Sequence, residues 1–456
     1  MMRPFALAYV VAVAVSVLLI GALIQFGLSA HAPPAAWVPR AVPHIDGTST
    51  SLGLLLAQIA VVLLVARTVG TLFRRLGQPA VIGEIVAGLL LGPSVLGALA
   101  PSALAALFPP TSLAPLALLS QVGVLLFMFL VGLDLDFGSL RDKARSAVIV
   151  SHTSIFVPFL LGVGLVLAAY PQLTAPGVPF DALALFMGIA MSVTAFPVLA
   201  RILEERGLLQ TTLGRNAIAC AAIDDVSAWC LLAFVVALAE AHNPLTAAAT
   251  VALSALFIWA MWFAVRPLLE RLARVRSERG AEPLGISAAV IVLMCAAAAT
   301  EAIGIHALFG AFMAGLAMPR DALLRERLRE RLHSFATVVL LPLFFALTGL
   351  RTQLGLLDGV ADFALCAAIV LIAVAGKLGG SALAARLTGA PWREALTIGA
   401  LMNTRGLMEL VVLNLGYDLG ILSPRVFTML VIMALVTTLM TGPLLSLLRP
   451  QARGRG

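Results

Sequence analysis

Stretches of about twenty apolar residues recur along this chain from one end to the other, and nothing else in the sequence limits its fold so severely. A helix needs ~20 apolar residues to cross a bilayer core. Inside lipid every backbone polar group must find its partner within the segment, so such runs fold as helices. Fourteen segments are read: 5–29, 52–73, 79–97, 114–133, 146–169, 181–203, 213–240, 245–265, 284–302, 305–318, 335–350, 361–385, 394–415 and 425–447. Charged residues make up only 12% of the chain, against about a quarter in a soluble domain. The predicted fold class is an all-α polytopic membrane protein embedded in a lipid bilayer. The connections are short, and no soluble domain fits between them.

The net charge of +7 does not indicate nucleic acid, because the basic residues sit between the apolar runs and set topology. Loops 74–78, 134–145, 204–212, 266–283, 319–334 and 386–393 are basic. Loops 98–113, 170–180, 241–244 and 303–304 have neither Lys nor Arg. The positive-inside rule places the basic set, and with it the C-terminus, in the cytoplasm. The expected location is a cell inner membrane or plasma membrane. Cys220, Cys230, Cys295 and Cys366 all lie inside apolar runs and read as small packing residues.

Residues 1–32 are an N-terminal apolar helix or a signal peptide ending in Ala30-His31-Ala32. The run exceeds the usual ~7–15 residue signal core, which favours a retained helix. The thirteen segments that follow divide as six, one and six. Residues 52–240 form a first repeat, 241–283 a linker helix and cytoplasmic loop, 284–448 a second repeat, and 449–456 a cytoplasmic tail. Two six-helix units separated by one helix must be inverted relative to one another. The fifth helix of each unit is interrupted, at Ser192-Val193-Thr194-Ala195-Phe196-Pro197 and at Asn403-Thr404-Arg405-Gly406. Paired interruptions at corresponding positions point to a midplane substrate site.

Asp224 and Asp225 stand in the middle of an apolar run, where each carboxylate is costly. Adjacent helical residues point roughly 100° apart, so the two can serve different partners. Carboxylate oxygens are hard ligands for a small cation, and a proton competes for the same oxygens. Ser227 is a supporting hydroxyl candidate. Of 30 Lys and Arg only Lys143 and Lys377 are lysines, and only Lys377 lies within an apolar run. A buried lysine can release a proton where arginine cannot, and its natural partner is one of the two aspartates. Arg405 and Glu409, spaced i,i+4, pair with each other or balance exposed helix ends. Glu84 reads as a solvated or capping residue near a helix end. Glu301 and His306 flank a turn at Gly304 and mark the surface or, for His306, a pH sensor. No cofactor is expected.

Five stretches carry a resemblance: QPAVIGEIVAGLLLGPSVLG (78–97), VGVLLFMFLVGLDLD (122–136), SVTAFPVLARILEERGLL (192–209), AIDDVSAWCLLA (222–233) and GALMNTRGLMELVVLNLG (399–416). Over 52–448 the chain is similar to the monovalent cation:proton antiporter-2 family, and within it to bacterial relatives of plant cation/H+ exchangers. The resemblance implies a homodimer with panel and core domains, crossed broken helices, and elevator-like exchange of Na+ or K+ for protons. It implies Asp225 as the main cation and proton ligand and Asp224 as the partner of Lys377. Many relatives have Asn-Asp where this chain has Asp-Asp, a difference that in the family goes with electrogenic exchange. No segment matches the nucleotide-binding domain of the glutathione-gated potassium efflux members, so a different subgroup is expected. The alternatives within transport are a K+-selective efflux exchanger and a sodium-coupled organic-anion carrier. The chain is not read as an enzyme. An intramembrane aspartyl protease needs acids on two helices, one in a GxGD motif, and the sequence has no such motif.

Overall fold

The computed structural model describes residues 2–31, 52–134, 144–208, 211–240, 244–278 and 286–448. Lys143, the 279–285 connection and the tail 449–456 lie outside the described residues. Everything regular within them is helical. The helices are α1 (Met2–Ala30), α2 (Leu52–Arg75), α3 (Ala80–Leu91), α4 (Leu96–Leu99), α5 (Pro101–Leu107), α6 (Leu113–Asp134) and α7 (Ala144–Leu173). Next come α8 (Phe180–Ser192), α9 (Phe196–Glu205), α10 (Thr212–Glu240), α11 (Pro244–Ala260), α12 (Arg266–Glu278), α13 (Ile286–Ile303) and α14 (Ala307–Ala317). The last seven are α15 (Ala322–Phe335), α16 (Leu341–Arg351), α17 (Val360–Val374), α18 (Gly380–Leu387), α19 (Trp392–Met402), α20 (Leu407–Asp418) and α21 (Pro424–Leu447). Among the described residues, nine helical stretches are long and apolar enough to cross a bilayer, and the pair α19–α20, bent by 42°, makes a tenth.

Each apolar segment read from the sequence contains a helix. One is shorter than its apolar run suggests. α14 has 11 residues, about 16 Å of helix, because Gly304 and His306 take positive φ angles of 88° and 67° and force a turn before it. The first helix break also sits earlier than its proline. Val193 is extended (φ −70°, ψ 136°) and α9 begins at Phe196. Pro197 lies in the first turn of α9, where a missing N–H costs nothing. The second break runs from Asn403 to Gly406, where Gly406 is extended (φ 171°, ψ −133°).

The helices pack as two groups. In one, α3 packs on α2 and α16, and α6 packs on α14 and α16, with α13 against α14. In the other, α7 packs on α8, α10 and α18, and α19 packs on α18, α10 and α21. The groups meet where α16 touches α20, and α11 touches both α10 and α13. Glycine makes two crossings of the first group possible. A Cβ on Gly88 of α3 would overlap the Ala346 carbonyl of α16, and one on Gly349 would overlap the Ile85 carbonyl in return. The same reciprocity links Gly132 of α6 to Phe312 O and Gly315 of α14 to Phe129 O. Small residues allow such backbone approach in membrane helices, where dispersion rather than water drives packing.

Candidate ion site at the crossing of two broken helices

A helix end leaves its last four carbonyls without intrahelical donors. At the C-terminus of α8 these belong to Ile189, Ala190, Met191 and Ser192, all buried deep in the molecule. The chain itself satisfies the first, since Val193 N donates to Ile189 O at 3.2 Å. Two buried cations satisfy the rest. Arg405 donates from Nη1 to Ala190 O (2.6 Å) and from Nη2 to Met191 O (2.7 Å). Lys377 Nζ donates to Ser192 O. Cations at a helix C-terminus also complement its partial negative charge.

The other broken helix is finished with hydroxyls. Thr194 Oγ1 donates to Met402 O (3.2 Å), and Ala195 N donates to Thr404 O (3.0 Å), so the two breaks bond to one another. Thr438 of α21 accepts from Arg405 N (3.1 Å) and donates to Arg405 O (2.8 Å). Thr404 and Thr441 approach at 3.4 Å. Gly406 is required here, because a Cβ would lie 2.7 Å from Val198 Cγ2 of α9.

Lys377 sits within a π-helical turn, Ala375–Gly379, a local widening frequent at functional sites. It is fully buried. Besides Ser192 O, its ammonium donates to Ser154 O (3.0 Å), Ser154 Oγ (2.9 Å) and Asp224 Oδ2 (2.9 Å). Three N–H donors thus serve four acceptors. Arg405 and Glu409 form a second buried pair, Nη1 to Oε2 at 2.8 Å, with both side chains fully buried. Arg405 therefore does both things left open by its spacing: it pairs with Glu409 and caps α8.

Asp225 is 2% exposed. Neither of its carboxylate oxygens, nor Asp224 Oδ1, has a hydrogen-bond partner among the described residues. Asn403, in the second break, is buried with both amide atoms likewise unpaired. Thr194 lies beside Asp224. The crossing thus collects three hard carboxylate oxygens without a hydrogen-bond donor among the described residues, with the Thr194 side chain close to Asp224. Such oxygens can accept a cation or a proton.

Thr194, Ala195, Thr404, Asn403 and Arg405 are all buried at the crossing, Phe196 is half-buried, and Ser227 is half-buried on α10. Ser154, Thr438 and Thr441 complete the polar framework with Ser192 of the first break, and the sequence reading passed over the first three. Their only signal was a hydroxyl within an apolar run. Glu84 is buried, at 8% exposure, rather than solvated; it lies against Gly70 of α2, whose lack of a side chain lets the two helices close. Glu301 Oε2 accepts from Ala307 N (2.8 Å), and His306 Nδ1 accepts from Leu308 N (3.4 Å), so both finish the N-terminus of α14.

The family model described as sodium/hydrogen exchanger, transmembrane, matches residues 60–448. The Na(+)/H(+) antiporter NhaS4 of Synechocystis is 43% identical over 406 residues, covering 88% of this chain and 98% of that protein. Cation/H(+) antiporter 19 of Arabidopsis thaliana is 40% identical over 88% of this chain, and K(+)/H(+) antiporter 1 of Saccharomyces cerevisiae 34% over 90%. The chain spans about half the length of the plant and yeast proteins, 50% and 48%. Among solved folds, the sodium proton antiporter MjNhaP1 from Methanocaldococcus jannaschii aligns with a TM-score of 0.63 at 12% identity, over 89% of this chain and 99% of that one. A second MjNhaP1 structure, at pH 8, gives a TM-score of 0.56. By the breadth of the family match and the identity to these relatives, the chain belongs to the sodium/hydrogen exchanger family of transmembrane proteins.

Proposed function

We propose that this protein is a secondary antiporter that exchanges a monovalent cation, Na+ or K+, for protons across its membrane. The observation that carries the reading is the Asp225 carboxylate, buried with neither oxygen hydrogen-bonded among the described residues, next to an Asp224 already held by Lys377. An isolated buried carboxylate is too costly to persist without a charge partner, so it must hold a proton or a cation. Proton and cation then alternate on the same oxygens, which is the requirement for exchange. The names of the relatives, Na(+)/H(+), K(+)/H(+) and cation/H(+) antiporters, support the same class.

The finer steps belong to the same proposal. The glycine crossings pair the second helix of each repeat with the third helix of the other, α3 with α16 and α14 with α6, which supports two inverted six-helix repeats at 52–240 and 284–448. The group containing α7 to α10 and α17 to α21 carries the ion, and the group around α3, α6, α14 and α16 supports it as a panel and a homodimer contact. Movement of one group along the other gives elevator-like alternating access. The second acid, Asp224, supports electrogenic exchange of more than one proton per cation.

The test is purified protein in proteoliposomes with an internal pH dye, given Na+, K+ and Li+ in turn. Cation-driven pH change is expected for at least one of them. No pH change with any cation overturns the antiport reading. An imposed membrane potential should change the rate, and a rate indifferent to potential removes electrogenicity alone.

A further inference from the structure

We propose that Arg351, bonded across to Asn414 and Asp418, is a latch that closes the route to Asp225 at the helix ends opposite the basic loops, and that it opens in each transport cycle. The inference rests on the antiport reading and concerns a contact that reading does not use. It starts from the placement of the arginines. Among the described residues only Arg351 and Arg425 lie at the ends opposite the basic loops. An arginine there runs against the usual topological bias, so each needs a reason of its own. Arg425, at the start of α21, donates to Asp362 Oδ1 of α17 (3.0 Å) and to Gln172 O of α7. All three helices belong to the ion-carrying group, so this arginine fastens that group to itself. Arg351 instead reaches out of its own group.

Arg351 ends α16 of the supporting group. Its Nη1 donates to Asn414 Oδ1 (2.8 Å) and lies 3.0 Å from Asp418 Oδ1, both on α20 of the ion-carrying group. Its guanidinium also stands over the Tyr417 ring, 5.4 Å from the centroid. Asn414 returns a bond of its own, from Nδ2 to Thr348 Oγ1 of α16 at 2.8 Å. Just beyond α16, Gln353 N donates to Thr428 Oγ1 of α21 (3.1 Å). Thr348 and Arg351 are one turn apart on α16, as Asn414 and Asp418 are on α20, so two facing turns interlock. Each turn is mounted tightly on its own group. Gly349 lets α16 close on the Ile85 carbonyl of α3, and Ser94 Oγ donates to Thr352 O (2.9 Å). On the other side, a Cβ on Gly416 would lie 3.0 Å from Phe186 Cδ1 of α8. A hydrogen bond reaches only to about 3.2 Å, so sliding of one group along the other must break these contacts.

Behind the latch lies a small cavity between the groups. It is lined by Leu232 and Val236 of α10, Leu415 of α20, and His306 and Phe309 at the entry to α14. Leu415 follows Asn414 directly. Leu232 and Val236 come seven and eleven residues after Asp225, which returns them to the same face of α10. They stand about 10 and 16 Å from it along the helix, toward loop 241–244 and away from the basic loops. The cavity is therefore on the Asp225 face and on the latch side of the carboxylate. With the latch closed, Asp225 is buried. Thr348 and Asn414 are buried as well, whereas Arg351 and Asp418 in front of them are partly exposed. That layering suits a reversible closure. Water can take over the bonds of a partly exposed pair as it separates, whereas parting a fully buried pair strands both charges.

Two measurements test the latch. The first bridges it shut. In a background with Cys220, Cys230, Cys295 and Cys366 replaced by serine, Thr348→Cys with Asn414→Cys puts two thiols where a 2.8 Å hydrogen bond joins the native side chains, and Hg2+ links them. Bridging should stop cation/proton exchange in proteoliposomes, and dithiothreitol should restore it. Either cysteine alone should be insensitive to Hg2+. Full exchange in the bridged protein overturns the latch. The second measurement loosens it. Asp418→Asn keeps the shape and removes the charge, and vesicles of the two orientations report the apparent KM for the cation at each face. Without the latch more of the protein opens opposite the basic loops, and a larger binding-competent fraction lowers the apparent KM in proportion. The KM should fall at that face by about threefold, the order expected of a partly exposed pair, and rise at the basic-loop face. A KM unchanged at both faces, or shifted the same way at both, overturns the latch, since the contact is then only structural. Wild-type protein that exchanges no cation removes the antiport reading, and the latch with it. Normal wild-type exchange with an unimpaired bridged variant removes the latch alone.

Discussion

Lys377 and Arg405 divide three consecutive carbonyls between them: Arg405 holds Ala190 O and Met191 O, and Lys377 holds Ser192 O. Each is also paired to its own carboxylate, Lys377 to Asp224 and Arg405 to Glu409. The broken end of α8 is therefore built from two buried ion pairs. The corresponding end of α19 is built from threonine hydroxyls. Ion pairs can respond to the arrival of a cation or proton, whereas threonines hold a fixed geometry. Both ion pairs thus meet at the end of α8, although Arg405 itself comes from the second break.

Removing Lys377 should expose that dependence. Lys377→Ala leaves Asp224 buried without its cation and Ser192 O without a donor. Breaking a buried pair from one side costs ~3–5 kcal/mol, so the apparent melting temperature in detergent should fall clearly, together with exchange. Lys377→Arg keeps the charge, but a planar guanidinium cannot reach four compactly placed acceptors and cannot release a proton. It should recover part of the stability and change the pH profile of transport. Full exchange at an unchanged melting temperature in Lys377→Ala would refute a working role for the pair.

Much of this was legible in the sequence because the bilayer makes exceptions costly. A lysine and two adjacent aspartates within apolar runs are rare enough to be read as functional, and the structure joins Lys377 to Asp224 at 2.9 Å. Glycine and proline marked both breaks. The sequence hid what depends on register. Ser154 looks like any hydroxyl in a helix until α7 is laid against the turn that carries Lys377. Glu84 looked exposed because it stands near a helix end. It is buried where α3 packs on α2, with Gly83 close against the Gly70 backbone, a contact no local pattern encodes. The first interruption was legible over 192–197 with proline read as its breaker, whereas the chain already turns extended at Val193 and Pro197 falls in the first turn of the next helix.

Asp225→Asn should abolish exchange with every cation, since the amide removes the negative charge that cation and proton share. In the wild type the sharing itself can be measured. With one proton and one cation competing for the carboxylate, each unit fall in pH should raise the apparent KM for the cation by up to about tenfold by mass action. The maximal rate at saturating cation changes less. Vesicle assays over a grid of pH and cation concentration test this. An apparent KM independent of pH would mean that the two ligands do not compete.

The glycine crossings should be intolerant of a single methyl group. Gly88→Ala drives a Cβ into the Ala346 carbonyl, and Gly315→Ala drives one into Phe129 O. Both obstacles are backbone, so they cannot rotate away. Overpacking of this kind costs ~1–3 kcal/mol. Each variant should melt earlier in detergent than wild type. Gly164→Ala, where a Cβ meets nothing within 4 Å, is the control and should match wild type.

The Arg405–Glu409 pair is best tested by a double-mutant cycle, because single removals confuse several losses. Arg405→Met strands Glu409, whose Oε1 already lacks a partner among the described residues, and releases Ala190 O and Met191 O. Glu409→Gln leaves Arg405 with both carbonyls but without a countercharge. The arginine variant should therefore be the more destabilised of the two, by ~3–5 kcal/mol against a smaller loss for glutamine. Replacing both, Arg405→Met with Glu409→Leu, removes the stranded charge as well. Buried pairs replaced by apolar groups of similar volume are often neutral in stability, yet here the two α8 carbonyls would still lack donors. The double variant should thus melt above Arg405→Met and below wild type. Its residual deficit measures the capping of α8 alone. If the double variant melts no higher than Arg405→Met, the pair contributes nothing separable from the cap. If it melts at the wild-type temperature, the carbonyl bonds at 2.6 and 2.7 Å are dispensable, and the break is held by the Lys377 and threonine contacts instead.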